Sequence, residues 1–238
     1  MGAGDGLGRG GSFEARQAFA DNRVYDARKL GFQVLERSTA PKAIAGAHEL
    51  LSEVHTKMVF EKIPMAEKKE HIVSSGESLA LLAKRYGTTV ELIKQSNGLE
   101  GSMIRIRERL LILTGTFFIE VDKSDNVMMV YLNDRFFKRY RVGTGQYSST
   151  PTGDFHVTGR IKHPDWWTND RKIPYGHPDN LLGTHWLSLN KRGYGIHGTW
   201  DDDTIGHQAS AGCVRMLNAE VEELFKLIPV KTQVEVVD

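Results

Sequence analysis

The spacing of apolar residues predicts helices at the start of the chain. Between Phe13 and Val34 apolar side chains recur near helical spacing, and a second run begins at Pro41, a residue suited to the first turn of a helix. We therefore expect a helical hairpin over 13–60, either one tetratricopeptide-like unit or a plain spacer. The glycine-rich residues 1–12 are expected to form a flexible leader.

The next part of the chain has the pattern of a strand, two helices and a second strand, over 70–115. A charged linker is expected before it, at 61–69. The letters HIV predict the first strand and LLIL the last. Ser78 is expected to cap the first helix, and Gly87 to end it in a left-handed conformation. Thr88 is expected to open the second helix through a T-x-x-E capping box.

From 116 to 238 the apolar residues follow the period of strands. The predicted strands are FFIEVD, VMMVYLN, FFKRYRV, DFHVTG, HWLSLN, YGIHG and VEVV. Asn218 is expected to cap a helix that Pro229 closes. The three patterns together predict an α+β multidomain protein with an N-terminal helical hairpin, a βααβ module and a mostly-β, sandwich-like domain.

The segment Arg160–Thr184 has neither a strand nor a helix period and is rich in aromatic residues. Long irregular segments inside compact domains tend to serve function. We interpret this segment as a lid over the groove that contains Cys213, or else as a surface loop packed on its own side chains.

Composition narrows the classes of function. The net charge is +1 and the pI is about 7.9, so the electrostatic field of the whole protein does not favour a nucleic acid partner. No stretch approaches the roughly 20 apolar residues of a membrane helix. The single cysteine, Cys213, cannot form an internal disulfide or a multi-thiolate zinc site, and burial as a small apolar residue is its ordinary role.

The neighbours of Cys213 favour nucleophilic catalysis instead. A thiol attacks as the thiolate, so it needs a base or a positive charge nearby, and adjacent strands could bring His197 alongside. The imidazole either takes the thiol proton or the pair rests as thiolate and imidazolium. Gly212 allows close backbone approach, and the N–H groups of Gly212 and Cys213 are expected to bind the developing oxyanion.

A set of motifs in a fixed order surrounds these two residues. Ile196-His197-Gly198-Thr199 is followed, after residues 200–209, by SAGCVRM; VGTG, STPTGDF and the G-x-x-W-L-x-L pattern precede both. This order resembles the L,D-transpeptidase catalytic domain, the YkuD family, over 116–238. The resemblance implies a β-rich enzyme that uses no metal, ATP or other cofactor. Ala211 departs from the family, in which many members carry His, Lys or Arg, and this puts a second polar substrate contact in doubt.

The resemblance implies roles for the motif residues. Cys213 would attack diaminopimelate at the third position of a peptidoglycan stem peptide, D-alanine would leave, and a neighbouring stem amine would resolve the thioester into a 3→3 crosslink. His197 matches the general base and acid. Ser210 matches a hydroxyl near the site or a residue that orients the loop. Arg215 either binds a substrate carboxylate or clamps the domain internally. Three further residues are expected beside the substrate: Gly198, Trp186 and Tyr194. Core packing is the ordinary role of the two aromatic residues among them.

The βααβ segment resembles a LysM module. Its sequence HIVSSGESLALLAKRYGTTVELIKQSN follows the module's order of motifs, with His71 in place of the common tyrosine. The resemblance implies binding to glycans that contain N-acetylglucosamine. The expected glycan contacts lie in two turns, at Gly76, Glu77 and Ser78 and at Asn97, and the apolar residues are expected to form the core.

These resemblances imply peptidoglycan as the partner, through both its stem peptides and its glycan strands, and reactivity with carbapenems. We expect an extracytoplasmic location, with an export signal or anchor missing from this sequence. Three alternatives stay open: a non-catalytic wall-binding protein, an enzyme whose thioester is resolved by water or a protein amine (a carboxypeptidase or a protein-anchoring enzyme), and a metal hydrolase that uses histidines from the set His163, His177, His185, His197 and His207.

Overall fold

The N-terminal region is a unit of packed helices. The computed structural model describes residues 5–168 and 171–238. Its first elements are α1 (Asp5–Ala20), α2 (Val24–Arg37) and α3 (Pro41–Phe60). Pro41 occupies the first turn of α3, as the sequence predicts.

The predicted helical hairpin needs correction, because its first helix is divided into α1 and α2. The chain breaks at Asn22, which has a φ of 60°, and the Arg23 N–H donates to the Ala18 carbonyl at 2.8 Å. Asparagine adopts this left-handed conformation more readily than most residues. The apolar periodicity continues across the turn and therefore conceals it.

The expected flexible leader at 1–12 is also corrected, because α1 begins at Asp5. The first four residues lie outside the described part of the chain. Gly11 lies against α2, where an added Cβ would be 3.3 Å from the Val34 Cγ2 atom. A small residue thus lets the two helices approach closely.

The next elements follow the predicted βααβ order: β1 (Lys68–Ile72), α4 (Leu79–Tyr86), α5 (Val90–Ser96) and β2 (Arg109–Leu113), with β1 and β2 antiparallel. The Ser78 cap is confirmed by a 3.3 Å bond from the Leu81 N–H, and Gly87 has a φ of 64°. The cap of α5 is Thr89 rather than Thr88, since the Leu92 N–H donates to the Thr89 hydroxyl at 3.0 Å.

The first strand of this module begins inside the predicted linker at 61–69. Lys68 is buried, and its ammonium group donates to the carbonyl oxygens of Met58 and Glu61, both at 2.7 Å. These bonds join the end of α3 to β1. Lysine is rarely buried unless it is paired in this way. For this reason the charged Lys68 was assigned to the linker and not to a strand.

The C-terminal region is mostly β, as predicted. Its strands are β3 (Phe117–Asp122), β4 (Val127–Leu132), β5 (Arg135–Arg141), β6 (Thr144–Gly145), β7 (Gly153–Lys162), β8 (Trp166–Trp167), β9 (Lys172–Ile173), β10 (His185–Leu189), β11 (Gly195–Thr199), β12 (Gln208–Ser210), β13 (Val214–Leu217) and β14 (Gln233–Val237). An eight-stranded sheet has the order β13-β11-β10-β7-β14-β3-β4-β5, and β6 pairs with β12 beside it. The helix α6 (Asn218–Leu227) buries Val221 and Leu224.

The three regions pack on one another. Val54 of α3 and Leu92 of α5 belong to the same apolar core as the strands of the large sheet. His55 contacts β5, with its Nδ1 atom 2.8 Å from the Phe137 carbonyl oxygen. The Thr89 hydroxyl donates to the Lys226 carbonyl. The βααβ module is therefore docked on the catalytic region. Within the described residues, no helix is long and apolar enough to cross a membrane.

Candidate active site

The loop that carries Cys213 lies between β12 and β13 and is held by Ser210. The Ser210 hydroxyl donates to the Cys213 carbonyl at 2.7 Å and accepts from the Gly212 N–H at 3.0 Å. Gly212 has a φ of 132°, and an added Cβ would lie 2.7 Å from the Tyr194 Cε1 atom. Only glycine combines this conformation with this close approach.

A second loop, which contains the VGTG and STP motifs, packs against the nucleophile loop. An added Cβ at Gly145 would lie 2.9 Å from the Gly212 Cα atom. The Gly145 N–H donates to the Thr150 hydroxyl at 2.7 Å, and Thr150 is buried. The sequence motifs that lie far from Cys213 along the chain are thus direct neighbours of its loop.

His197 lies on β11, and Cys213 directly precedes β13, the parallel strand that pairs with β11. Ile196 of β11 pairs with Val214 of β13, which places Cys213 level with Gly195, two positions before His197. The His197 Nδ1 atom lies 2.6 Å from the Gly198 carbonyl oxygen. A carbonyl can only accept, so Nδ1 carries the proton and Nε2 is the nitrogen that can receive one.

The imidazole of His197 is fixed in position by packing. Trp186 stacks on it with ring centroids 5.4 Å apart and an interplanar angle of 19°. The Trp186 indole N–H donates to the Ser188 hydroxyl at 2.7 Å. Trp186 therefore holds the His197 ring in position, and Gly198, which is buried, contributes through its carbonyl group.

The electrostatics favour a neutral thiol and a neutral imidazole at rest. Burial lowers the pKa of His197 to about 4, with the Gly198 carbonyl opposing this and the Arg215 charge adding to it. Burial also raises the pKa of the Cys213 thiol, although a backbone hydrogen bond with Gly195 and the Arg215 charge act against this. Of the two predicted resting forms, these pKa directions favour the uncharged pair.

The thiol does not contact the imidazole directly in this conformation. The Cys213 Sγ atom lies 3.4 Å from the Gly193 carbonyl oxygen, which accepts its proton. Gly193, which the sequence did not single out, thus borders the nucleophile together with Tyr194.

Only one of the two N–H groups expected to bind the oxyanion is available. The Gly212 N–H already donates to the Ser210 hydroxyl at 3.0 Å. Among the described residues, no hydrogen bond uses the Cys213 N–H. The Cys213 amide is the donor that can meet a developing negative charge.

Arg215 lies close enough to influence both catalytic groups. Its charge lowers the pKa of His197 and that of Cys213. Its backbone exchanges two hydrogen bonds with Gly143, both at 2.8 Å. Its side-chain Nε atom is buried and has no hydrogen-bond partner in the described ranges. A buried donor without a partner favours the predicted role in binding substrate over that of an internal clamp.

Asn218 has a function that the sequence missed. It was expected to cap α6, but its side chain makes no cap bond. Instead its Oδ1 atom accepts from the Thr184 N–H at 3.0 Å and its Nδ2 group donates to the Thr199 carbonyl at 2.7 Å. Asn218 therefore ties the end of the catalytic strand β11 to the turn before β10.

The predicted lid is an ordered loop with a small hairpin, β8–β9. Asn180 is buried, and its amide donates to the carbonyl groups of Pro164 and Ile173 at 3.0 and 3.1 Å. His163 stacks on Tyr175 with ring centroids 4.3 Å apart. These contacts agree with a loop packed on its own side chains, and residues 169–170 of the predicted lid lie outside the described part.

Some of the residues expected to contact glycan are bonded inside the βααβ module, and others are exposed. Glu77 pairs with His71 at 2.7 Å and with Arg85 at 2.5 Å. Asn97 donates to the carbonyl groups of Ile93 and Leu111 and accepts from the Leu111 N–H at 2.8 Å. These two side chains hold the module together, whereas Gly76 and Ser78 lie in an exposed turn.

The histidines of the metal-hydrolase alternative do not converge on one site, although the rings of His163 and His185 lie 6.3 Å apart. His163 stacks on Tyr175, His185 packs on Phe225, and His207 is exposed. Within the described residues, no group of three or more His, Cys, Asp or Glu side chains could hold a metal ion.

Comparison with known proteins places this geometry in a family. Residues 116–236 match the profile of the L,D-transpeptidase catalytic domain, YkuD, and residues 71–112 match the LysM domain. The chain belongs to the YkuD family of L,D-transpeptidases. The resemblances to the catalytic domain and to LysM are thereby confirmed.

Three relatives illustrate this similarity. YqjB of Bacillus subtilis, assigned as an L,D-transpeptidase, is 38% identical over 53% of this chain and 74% of its own length. YkuD of Bacillus licheniformis, assigned likewise, is 33% identical over 69% of this chain and 96% of its own length. The catalytic domain of the E. faecium L,D-transpeptidase, solved by NMR as acylated by ertapenem, is 26% identical, with 51% of this chain and 97% of that chain covered and a TM-score of 0.42.

Proposed function

We propose that this L,D-transpeptidase uses Cys213 as a nucleophile to form 3→3 crosslinks between peptidoglycan stem peptides. The observation that carries this is the position of Cys213 directly before β13, level with Gly195 of the paired strand β11 that bears His197. A neutral imidazole and a protonated thiol in this arrangement suit a reaction in which the base removes the proton as the sulfur attacks.

In the first half of the reaction the Cys213 sulfur bonds to the carbonyl carbon of the third stem residue, and its proton passes to His197 Nε2. The carbonyl oxygen becomes an oxyanion that the Cys213 N–H can meet. The tetrahedral intermediate then collapses, the peptide C–N bond breaks, and the leaving D-alanine amine takes the proton from His197. A thioester remains on Cys213.

In the second half an amine from a neighbouring stem attacks the thioester. His197 accepts a proton from that amine and returns it to the departing sulfur, so the free thiol is regenerated. Arg215 is suited to a carboxylate of one of the two stems, since a guanidinium binds carboxylates in a bidentate manner. Tyr194 packs on Gly212 and lines the same edge of the groove.

We further propose that the LysM module binds the glycan strands of peptidoglycan through the turn that contains Gly76 and Ser78. Glu77 and Asn97 shape the module by their internal bonds and are not needed as direct contacts. These activities imply a place of action outside the cytoplasm, at the cell wall.

Intact-protein mass spectrometry tests the nucleophile. The protein is incubated with a tetrapeptide stem and, separately, with a carbapenem, whose strained ring makes it a reactive acyl donor. We expect a covalent adduct on the wild-type protein and none on Cys213→Ala. A Cys213→Ala protein that retains full turnover would show that the proposal is wrong.

The released products identify the acceptor. A crosslinked dimer indicates transpeptidation, a shortened tripeptide indicates hydrolysis, and a peptide bonded to an added protein indicates anchoring. A His197→Gln variant serves as the matched control for the base, because it keeps the size of the side chain but cannot take up a proton.

A further inference from the structure

A tight turn between β10 and β11 lies directly beside the thiol. The Tyr194 N–H donates to the Lys191 carbonyl at 3.1 Å, and Gly193, with a φ of 83°, takes the left-handed position that such a turn requires. The Gly193 carbonyl accepts the proton of the Cys213 Sγ atom at 3.4 Å. A substrate bound at the sulfur therefore lies close to this turn.

Lys191 places a positive charge on the turn. The residue is exposed, and its ammonium group lies over the Tyr194 ring, 5.2 Å from the centroid. An aromatic face attracts a cation at this distance. The same ring packs on Gly212, where an added Cβ would lie 2.7 Å from the Tyr194 Cε1 atom. Because Gly212 directly precedes Cys213, the charge is held on the side of the turn that faces the nucleophile loop.

The Lys191 ammonium group has no carboxylate partner in the described part of the chain, where the Tyr194 ring is its one recorded contact. Other lysines of the same domain are paired: Lys123 with Asp238 at 2.9 Å, and Lys172 with Asp165 at 2.6 Å. The charge of Lys191 is thus available to an anionic group of a ligand that binds beside the sulfur.

We propose that Lys191 is a specificity-determining residue that binds a carboxylate of the donor stem peptide. This rests on the proposed function, in which Cys213 attacks the carbonyl of diaminopimelate and D-alanine leaves. The attacked residue and the one after it each bring a carboxylate to the site, on the diaminopimelate side chain and at the end of D-alanine. A lysine ammonium group binds either through charge-assisted hydrogen bonds. A charge at the rim of a site chiefly affects how fast and how selectively the complex forms.

The release of the terminal residue by the full-length protein tests this role. The substrates are the free tetrapeptide, the same peptide with a C-terminal amide, and the same peptide with the diaminopimelate side-chain carboxylate as an amide. With the free tetrapeptide we expect Lys191→Met to lower kcat/KM about fivefold, the effect of one partly exposed ion pair, and Lys191→Arg to keep most of the rate.

The two amides identify the carboxylate. Amidation of the group that Lys191 binds should lower kcat/KM of the wild-type protein by a similar factor, and Lys191→Met should then cause no further loss. With the other amide, Lys191→Met should cause the same loss as with the free tetrapeptide.

Arg192 is the matched control. It is exposed on the same turn and carries the same charge, but its side chain makes no hydrogen bond, ion pair or ring contact within the described ranges. Arg192→Met should therefore leave kcat/KM nearly unchanged. Iodoacetamide is small and uncharged, so its labelling rate reports the reactivity of the Cys213 thiol alone and should be the same in all variants.

Several outcomes would overturn the assignment: no loss with Lys191→Met, an equal loss with Arg192→Met, or an undiminished loss with both amides. Slower iodoacetamide labelling of Lys191→Met would also overturn it, because the change would then act on the thiol and not on the substrate. Failure of the proposed function would appear separately, as a wild-type protein that forms no adduct and releases no terminal residue from any of the peptides.

Discussion

The Ser210 hydroxyl holds Cys213 by bonding to the backbone on both sides of the turn, to the Cys213 carbonyl at 2.7 Å and from the Gly212 N–H at 3.0 Å. Of the two predicted roles for Ser210, this geometry supports the one that orients the loop. Under the proposed function, the serine acts on the reaction through the conformation of the loop that carries Cys213.

Ser210→Ala is expected to leave the Gly212 N–H and the Cys213 carbonyl without a partner. Because an unsatisfied buried group costs about 1–3 kcal/mol, we expect a lower melting temperature together with slower acylation. Ser210→Thr keeps the hydroxyl and is the control. Calorimetry and the rate of carbapenem adduct formation measure the two effects. A Ser210→Ala protein with unchanged stability and rate would contradict this role.

Gly212→Ala is expected to disturb the nucleophile loop more than Gly193→Ala. Both glycines have positive φ values, but an added Cβ at Gly212 meets Tyr194 at 2.7 Å, whereas at Gly193 it meets nothing within 4 Å. The shared strain costs about 1–3 kcal/mol, and only Gly212→Ala adds a steric clash. Acylation rates of the two variants should therefore differ strongly. Equal rates would show that the contact with Tyr194 has no effect on the loop.

The sequence singled out Cys213 and His197 because the residue types of a thiol and an imidazole, and the order of the motifs around them, can be seen in the sequence alone. It also predicted the long strands, whose apolar alternation is strong. It missed β13 and the turn at Asn22, since a four-residue strand and a single left-handed residue leave little periodic signal.

The parts of the site that the sequence misassigned depend on backbone direction. The Gly212 N–H was expected to face the oxyanion, yet it donates to the Ser210 hydroxyl. Asn218 was expected to cap a helix, yet its amide bridges Thr184 and Thr199. A side chain's type gives its possible partners, and only the tertiary structure selects among them.

Acidification is expected to destabilise the protein between pH 6.5 and about 4. Burial lowers the pKa of His55 and of His197 from an ordinary value of 6.5 to about 4. In that range the unfolded chain binds protons that the folded chain does not, so stability is present above pH 6.5 and is lost as the pH falls. Each group contributes at most about 3 kcal/mol.

Thermal unfolding between pH 7 and pH 4 measures this dependence. His55→Gln should reduce the slope of stability against pH, since it removes one of the two imidazoles whose pKa is lowered to about 4. His207→Gln is the control, because His207 is exposed. A slope that is the same in His55→Gln as in the wild type would contradict the assignment.

Alkylation of the thiol is expected to be slow at neutral pH. Burial raises the pKa of Cys213 above its ordinary value of 9.0, so little thiolate exists at pH 7 and the fraction grows as the pH rises past 9. Iodoacetamide labelling followed by mass spectrometry should show this rise. Rapid labelling that is constant from pH 6 to pH 9 would indicate a resting thiolate and would contradict the neutral pair.

Arg160 joins the LysM module to the catalytic domain, and its removal is expected to loosen that joint. The guanidinium donates to the Phe225 carbonyl at 2.5 Å and to Glu91 of α5 at 3.1 Å. It also lies over the Phe225 ring, 4.1 Å from the centroid. Arg160→Met keeps the aliphatic packing and removes these bonds, so we expect a loss of about 1–3 kcal/mol and faster hydrogen exchange in α5 and α6.

Glu91→Gln tests the contribution of the Arg160–Glu91 ion pair separately from the other contacts of Arg160. It removes one charge but leaves the bond from Arg160 to the Phe225 carbonyl, so exchange in α6 should remain slow. Adduct formation with a carbapenem should be unchanged in both variants, because the Cys213 loop does not contact this interface. Unchanged hydrogen exchange in Arg160→Met would show that the apolar core around Leu92 and the bond from Thr89 to Lys226 are sufficient to dock the module.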